Sequence, residues 1–411
     1  MDFKEHLKKY LSPKEIDDLC LALTKEAKKG ILVNTLVTTS ETILNEYPNL
    51  QPHPIVANAF IYDKNEYHLG KTLLHELGAF YIQEPSAMIP SFLLNPQEDD
   101  LILDLCAAPG GKTSQMSFLM KNNGLIISND ISHSRAQIIK ENIERLGIAN
   151  TVITNNDFSL LKGLNNKFDK IMLDAPCSGS GMFRKMEEMK TDWTFEKVIK
   201  CSEIQKELIH LAFNMLKPGG TMCYSTCSFS YEEDEEVVQY LLESTNAILI
   251  DIENNPLFYK SNKRIGIHLL PSIFPGEGHY ICLIKKPGQL IKTKENKKQL
   301  IIYSKQAYKS YDLSNFKKLN IIRNGIKVGD VIDDGYKYDY HFAKSIDKFD
   351  KILELTKEET LNYIQGESLS KVIDKGFVVL KYKGINIDIA KSDGKIIKNR
   401  YPSYLKKKLC E

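Results

Sequence analysis

Between residues 100 and about 286, short apolar runs of strand character alternate with stretches of helical periodicity, and this pattern constrains the fold more than any other feature of the chain. Such alternation predicts an open, mostly parallel sheet with helices on both faces, an α/β architecture of the Rossmann-like class. Strands are expected at 101–105, 125–130, 151–155, 168–173 and 221–225, with 248–252 and 279–284 supplying the rest. Helices are expected at 112–119 and 132–146, the second with Ile138, Ile139, Ile143 and Leu146 on its buried face. Open sheets of this kind bind ligands beyond the carboxyl ends of their strands. The loops that follow the strands are therefore where chemistry should lie.

At 411 residues the chain exceeds what one compact core accommodates, so two or three domains are expected. We divide it into an N-terminal α+β segment (1–95), a catalytic α/β domain (96–287), a linker subdomain (288–350) and a small β-rich C-terminal domain (351–411). The N-terminal segment contains a helix with Ile16, Leu19, Cys20 and Leu23 at helical spacing, and a helix start at Thr39-Ser40-Glu41. A hairpin is expected within 376–384. No apolar run reaches the ~18–20 residues that a membrane span needs, and Met1-Asp2-Phe3-Lys4-Glu5-His6 lacks the apolar core of a signal peptide. A cytoplasmic protein without membrane contact, most simply a monomer, is expected. Eight cysteines in so long a chain, with no C-x-x-C pair, speak against a disulfide scaffold and a zinc site; no metal is expected.

The net charge of +2 conceals a division. Residues 285–411 carry 28 Lys+Arg against 16 Asp+Glu, a balance of +12, whereas the preceding residues carry 27 against 37, a balance of −10. The basic block suits a polyanionic partner, although a solvated lysine-rich surface gives the same count.

Five features follow strands. Cys106-Ala107-Ala108-Pro109-Gly110-Gly111-Lys112 leads from the first strand into a helix, and its glycines let backbone approach a ligand closely. Gly111-Lys112-Thr113 matches the end of a P-loop, but the glycine that motif requires at position 106 is a cysteine, which excludes an ATPase reading. Asp130 ends the second strand, where doubly wound folds place an acid on ribose hydroxyls, and Asp157 follows the third, in place to meet an adenine edge. Either acid alone would read as a loop cap. Together, after a glycine loop without Gly-x-Gly-x-x-Gly, they favour S-adenosylmethionine over NAD.

The remaining two are cysteine motifs fifty residues apart, Asp174-Ala175-Pro176-Cys177-Ser178-Gly179 and Ser225-Thr226-Cys227-Ser228. Carbon 5 of cytosine is a poor nucleophile until something adds to carbon 6. A thiolate does this well, and a second acid/base group is then needed for elimination. Two strand-end thiols fit that logic. Cys20, Cys201, Cys223, Cys282 and Cys410 read instead as packing residues.

These motifs carry a resemblance. With Tyr81-Ile82-Gln83-Glu84-Pro85-Ser86-Ala87-Met88 and Gly276-Glu277-Gly278-His279-Tyr280, in that order along residues 80–285, the sequence resembles the Sun-type RNA (cytosine-5)-methyltransferases, specifically the bacterial RsmF-like group. The resemblance implies Cys227 as the nucleophile and Cys177 as the group that resolves the covalent adduct. It implies residues 106–112, Asp130, Asp157 and Asp174 as S-adenosylmethionine contacts, with Lys112 and Asp174 also facing the target base. DNA cytosine methylases use the Pro-Cys thiol as nucleophile, so the order of the two roles rests on the resemblance and not on spacing. Lys327-Val328-Gly329-Asp330, Phe342-Ala343-Lys344-Ser345 and Ile396-Ile397-Lys398-Asn399-Arg400-Tyr401-Pro402 resemble the group's C-terminal RNA-binding region, the last a PUA-like unit. Asn34 and its strand resemble its N-terminal RNA-binding segment. The implied substrate is small-subunit ribosomal RNA, free or within a ribosomal particle. A tRNA substrate and a non-catalytic ribosome assembly factor remain the alternatives. The acidic run Glu232-Glu233-Asp234-Glu235-Glu236 reads as a solvated helix start. Trp193, Phe183 and Phe195 either stack on a flipped base or pack.

Overall fold

Every residue of the strands Leu101–Asp104, Leu125–Asn129 and Thr151–Thr154 is buried, the environment that continuous apolar runs demand. In the computed structural model, which describes residues 3–184, 190–292, 298–316, 319–333, 335–346 and 348–405, these strands form the middle of a nine-stranded sheet. Its order is Ile248–Ile250, His279–Lys285, Leu216–Thr226, Phe168–Asp174, Leu101–Asp104, Leu125–Asn129, Thr151–Thr154 and Ile321–Asn324, with Ile267–Leu269 paired to His279–Lys285. The run from Leu216–Thr226 to Thr151–Thr154 is parallel, and the flanking strands are antiparallel. From Leu101–Asp104 the chain winds outward through two neighbours, then crosses back to Phe168–Asp174 on the other side. The loops after Asp104 and Asp174 consequently run in opposite directions and leave a crevice between them.

The helix Gly111–Leu119 buries Gly111 to Phe118 against this sheet. In His133–Arg145, capped by Ser132, the buried stripe is Ala136, Ile139 and Ile143, continued by Leu146. Ile138, expected in that stripe, is 44 % exposed. The step of about 100° between adjacent helical residues turns it away from the face that Ile139 occupies.

The N-terminal helix Pro13–Ala22 begins with a Ser12/Glu15 capping box, and Ser40–Glu46 begins at Thr39. Between and after them lies a four-stranded sheet in the order Gln51–Pro52, Ala59–Tyr62, Lys29–Val33, Phe80–Ile82. The C-terminal residues build a five-stranded sheet around the hairpin of Gly376–Tyr382 and Ile385–Ser392. The two sheets share one core: Ile31, Phe60 and Phe80 pack in the same cluster as Tyr340, Leu380, Ile387 and Tyr401. Asn34 is fully buried, and its side-chain amide donates to the carbonyls of Gly78 and Leu146, 2.8 Å each. That amide ties the N-terminal segment to the catalytic domain.

Residues 298–338 add a four-stranded sheet and also send Ile321–Asn324 into the central one. Arg323 locks that strand, its buried guanidinium donating to Thr151 O (3.2 Å) and Ile148 O (2.9 Å).

Lys344, which lies in a segment resembling an RNA-binding region, is 3 % exposed. Its amine donates to Leu77 O (2.5 Å) and Asn386 O (2.7 Å), joining the N-terminal and C-terminal sheets. Burial, with Arg145 nearby, lowers its pKa to about 7. The unfolded value is about 10.4, so between about pH 7 and pH 10 the unfolded chain binds a proton that the native chain does not. The stability of the wild type relative to Lys344→Met should therefore rise with pH across that window and be flat below it. Urea unfolding of both proteins at several pH values measures the difference.

Candidate active site

The loop after Leu101–Asp104 is held by its neighbours on the sheet. Ala107 N–H donates to Asn129 O at 2.8 Å, and Ala108 N–H donates to the Asp130 carboxylate at 3.3 Å. The other Asp130 oxygen accepts from Ser132 N–H at 2.9 Å, while Arg135 lies 3.7 Å from the oxygen that Ala108 bonds. Pro109 is exposed at the loop tip, and Cys106 is half-buried, its thiol pushed well up by burial. Gly110 sits at φ +103°, a left-handed conformation that favours glycine. At Gly111 a Cβ would lie 3.0 Å from the Tyr81 ring and 3.2 Å from the Gln83 amide, so only glycine fits without displacing them. Just inside, Asp104 accepts from the Thr113 hydroxyl at 2.6 Å, and burial raises its pKa to about 7. Asp157 is exposed and caps the short helix Phe158–Leu161 through Ser159 N–H at 2.8 Å.

Across the crevice, Lys112 from the glycine loop reaches Asp174 at the end of the adjacent strand, 2.7 Å between ammonium and carboxylate. The second Asp174 oxygen accepts from the Ser225 hydroxyl at 2.8 Å and lies 3.3 Å from His279. Burial opposes ionisation of Asp174, but Lys112 and His279 outweigh it and hold the carboxyl well below the usual carboxylate range. For Lys112, burial acts to lower the pKa, and the Asp174 charge prevails and raises it. The site thus presents a fixed anion and cation at the strand ends.

Cys177 and Cys227 meet beside this pair. Their sulfurs are 2.8 Å apart, both are free thiols, and both are half-buried. The contact with Cys227 and burial push the Cys177 thiol up. Lys112 is near enough to Cys227 for their charges to interact. Among the other cysteines, Cys223 and Cys282 are buried, Cys20 and Cys201 half-buried, and Cys410 lies outside the described residues.

The acidic run after Cys227 is not solvated. Glu232, Glu233, Asp234 and Glu235 are at most 5 % exposed. Glu232 meets His6 at 3.1 Å and also Lys9; Glu235 meets His268 at 2.9 Å. Glu233 accepts from Ser178 N–H at 2.7 Å and from the Ser228 hydroxyl at 2.7 Å. The run reads as solvent-facing because its partners lie far off in sequence, in the N-terminal helices and the other cysteine loop. The same helices settle the aromatic residues: Phe3 packs on Phe183 and Trp193 at 5.1 and 5.3 Å, and His6 on Phe195 at 5.5 Å. Sequence reasoning also passed over His279, although it lies within a motif that was singled out, and Ser178 and Ser228, although each directly follows a cysteine.

Residues 91–285 match the model of 16S rRNA methyltransferase RsmB/F. Residues 1–85 match the N-terminal domain of 16S rRNA methyltransferase RsmF, and 350–406 match the methyltransferase RsmF PUA domain. Ribosomal RNA small subunit methyltransferase F of Vibrio parahaemolyticus is 32% identical over 95% of this chain and 94% of its own length. Its counterpart in Vibrio campbellii is 31% identical with the same coverage. A methyltransferase homologue from Pyrococcus horikoshii superposes with a TM-score of 0.62 at 28% identity, covering 69% of this chain and 93% of that one. On this similarity along nearly its whole length, the chain belongs to the RsmB/F family of 16S rRNA methyltransferases, whose methyl donor is S-adenosylmethionine.

Proposed function

We propose that the protein methylates carbon 5 of a cytosine in small-subunit ribosomal RNA, with Cys227 as nucleophile and Cys177 resolving the covalent adduct. The observation that carries this reading is the pair of free thiols in contact at the ends of adjacent parallel strands, beside Lys112 and Asp174. The residues present fit the methyl donor: a left-handed glycine opens a nine-residue helix, and a buried acid follows the next strand. Residues 106–112, Asp130, Asp157 and Asp174 would hold it, and when bound it supplies an electrophilic methyl group.

The chain's own residues do the rest. The target base enters the crevice unstacked, and Lys112 and Asp174 hold its polar edge. Cys227 sulfur bonds to carbon 6, and the electron pair of the 5,6 double bond moves to carbon 5, which becomes nucleophilic. After carbon 5 is methylated, its proton leaves, the double bond re-forms and the sulfur–carbon 6 bond breaks, returning the Cys227 thiolate. Cys177 moves that proton. To accept it Cys177 must be a thiolate, its own proton having passed to solvent; the contact with the Cys227 thiol that pushes its pKa up is lost once that sulfur is bonded to carbon 6. The C-terminal excess of +12 and the PUA match support RNA as the partner. No helix among the described residues is long and apolar enough to cross a membrane. Our reading is of a cytoplasmic monomer that acts on ribosomal RNA, free or within a ribosomal particle.

Cys227→Ala should lower methyl transfer by at least about a thousandfold while leaving S-adenosylmethionine binding by calorimetry unchanged. Cys177→Ala should accumulate an RNA–protein adduct that survives SDS. For the substrate, labelled methyl should pass to total RNA from a strain lacking the gene, and bisulfite sequencing should place it on a small-subunit cytosine. Label in tRNA would keep the mechanism and overturn the substrate. No label in any RNA would favour an assembly factor.

A further inference from the structure

The strands that carry the two thiols run in register to Asp174 opposite Ser225, and the ladder continues as Ala175 N–H to Ser225 O at 2.8 Å. Among the described residues, the next backbone bond between the two loops is Gly181 N–H to Cys227 O, also 2.8 Å. Between them lie Pro176, which has no N–H to give, then Cys177, Ser178, Gly179 and Ser180, whose hydroxyl accepts from Phe229 N–H at 2.8 Å. The ladder therefore leaves the distance between the sulfurs open. Glu233 bridges the gap. One oxygen accepts from Ser178 N–H (2.7 Å) and the Gln205 amide (3.2 Å), and the other from the Ser228 hydroxyl (2.7 Å) and the Ser178 hydroxyl. Gln205 also donates to Pro176 O at 2.8 Å. Glu233, Ser178, Ser228 and Gln205 are all fully buried, so water does not compete for these bonds.

We infer that Glu233 is a positioning residue of the reaction: through Ser178 and Ser228, each one residue beyond a cysteine, its carboxylate sets the separation of the two thiols. The inference rests on the roles proposed for Cys227 and Cys177. A carboxylate suits the task because it only accepts, with two oxygens and about four lone-pair sites that take up N–H and O–H groups from both loops. Addition to the base needs Cys227 alone, whereas removal of the proton needs both thiols in place. Loss of Glu233 should therefore slow the later half of the reaction more than the first.

Two readouts test this on the full-length protein, as wild type, Glu233→Ala, Glu233→Gln and Ser228→Ala. Without RNA, diamide oxidises two neighbouring thiols to a disulfide; the sulfur–sulfur bond forms as two electrons and two protons pass to the diamide nitrogens. Mass spectrometry of the Cys177–Cys227 peptide should show closure about tenfold slower in Glu233→Ala, with Glu233→Gln between it and wild type. With RNA, turnover should fall on the order of 100-fold in Glu233→Ala, and SDS-resistant adduct should build up as it does for Cys177→Ala. RNA carrying 5-fluorocytidine has no proton to release at carbon 5 and reports addition and methylation alone; its capture should fall far less. Closure by diamide at the wild-type rate in Glu233→Ala, or an equal fall in turnover and capture, would overturn the inference. If Glu233→Ala does not fold, Ser228→Ala, which removes a single bond of the bridge, decides by the same two measurements. If the wild type methylates no RNA, the functional reading fails, and diamide closure still decides whether Glu233 holds the pair.

Discussion

Two oxygen atoms of Asp174 organise the site. One takes the ammonium of Lys112, which arrives from the start of the glycine-loop helix; the other takes the hydroxyl of Ser225 and faces His279, from the next two strands of the sheet. Four elements are thereby gathered at the point where the sheet changes direction. The arrangement depends on the pair remaining ionised, and the opposed pKa displacements of Asp174 and Lys112 describe that state. An unpaired charge left in such surroundings costs about 3–5 kcal/mol when fully enclosed, and less here, since the Asp174 side chain is 31 % exposed. On the proposed reading, that exposure leaves the pair a face for the base.

A second layer of polar groups lies under the thiols, and it differs in character. The acidic run from Glu232 to Glu235 is interior, and each member reaches a separate part of the molecule: the N-terminal helices, the other cysteine loop, Thr226 and His268. Burial without these partners would be prohibitive, so the run and its partners stand together. Tyr10 extends the connection, stacking on His268 at 5.0 Å and donating to Phe229 O at 2.8 Å. The first residues of the chain thus brace the loop that follows Cys227.

How much of this could be read in advance depended on the range of the interactions. The strands, the helix starts at Thr39 and Ser132, and the glycine turn at Gly110 are fixed by neighbours within a few residues, and periodicity and capping chemistry reveal them. The two thiols were legible because each follows a strand that parallel topology places side by side. Glu233 was not, because nothing local distinguishes an acid that bonds Ser178, 55 residues earlier, from one that faces water. Nor does anything local mark Lys344 as interior: its acceptors, Leu77 O and Asn386 O, lie far away on both sides in sequence. The address of Ile321–Asn324 on the edge of the central sheet is likewise a tertiary fact.

The shared core of the N-terminal and C-terminal sheets has a consequence for how the molecule is made. Ile31, Phe60 and Phe80 emerge from a translating ribosome early, yet their partners Tyr340, Leu380, Ile387 and Tyr401 emerge much later, and Tyr401 closes the contact on Glu76 at 3.2 Å. Contacts of such sequence separation are slow to form and leave apolar surface uncovered meanwhile. The nascent chain therefore carries an unfinished face on its first sheet until the strands Gly376–Tyr382 and Ile385–Ser392 have been made. Truncation before Tyr340 would reach back to the first sheet, so that the translation of late residues decides the stability of early ones.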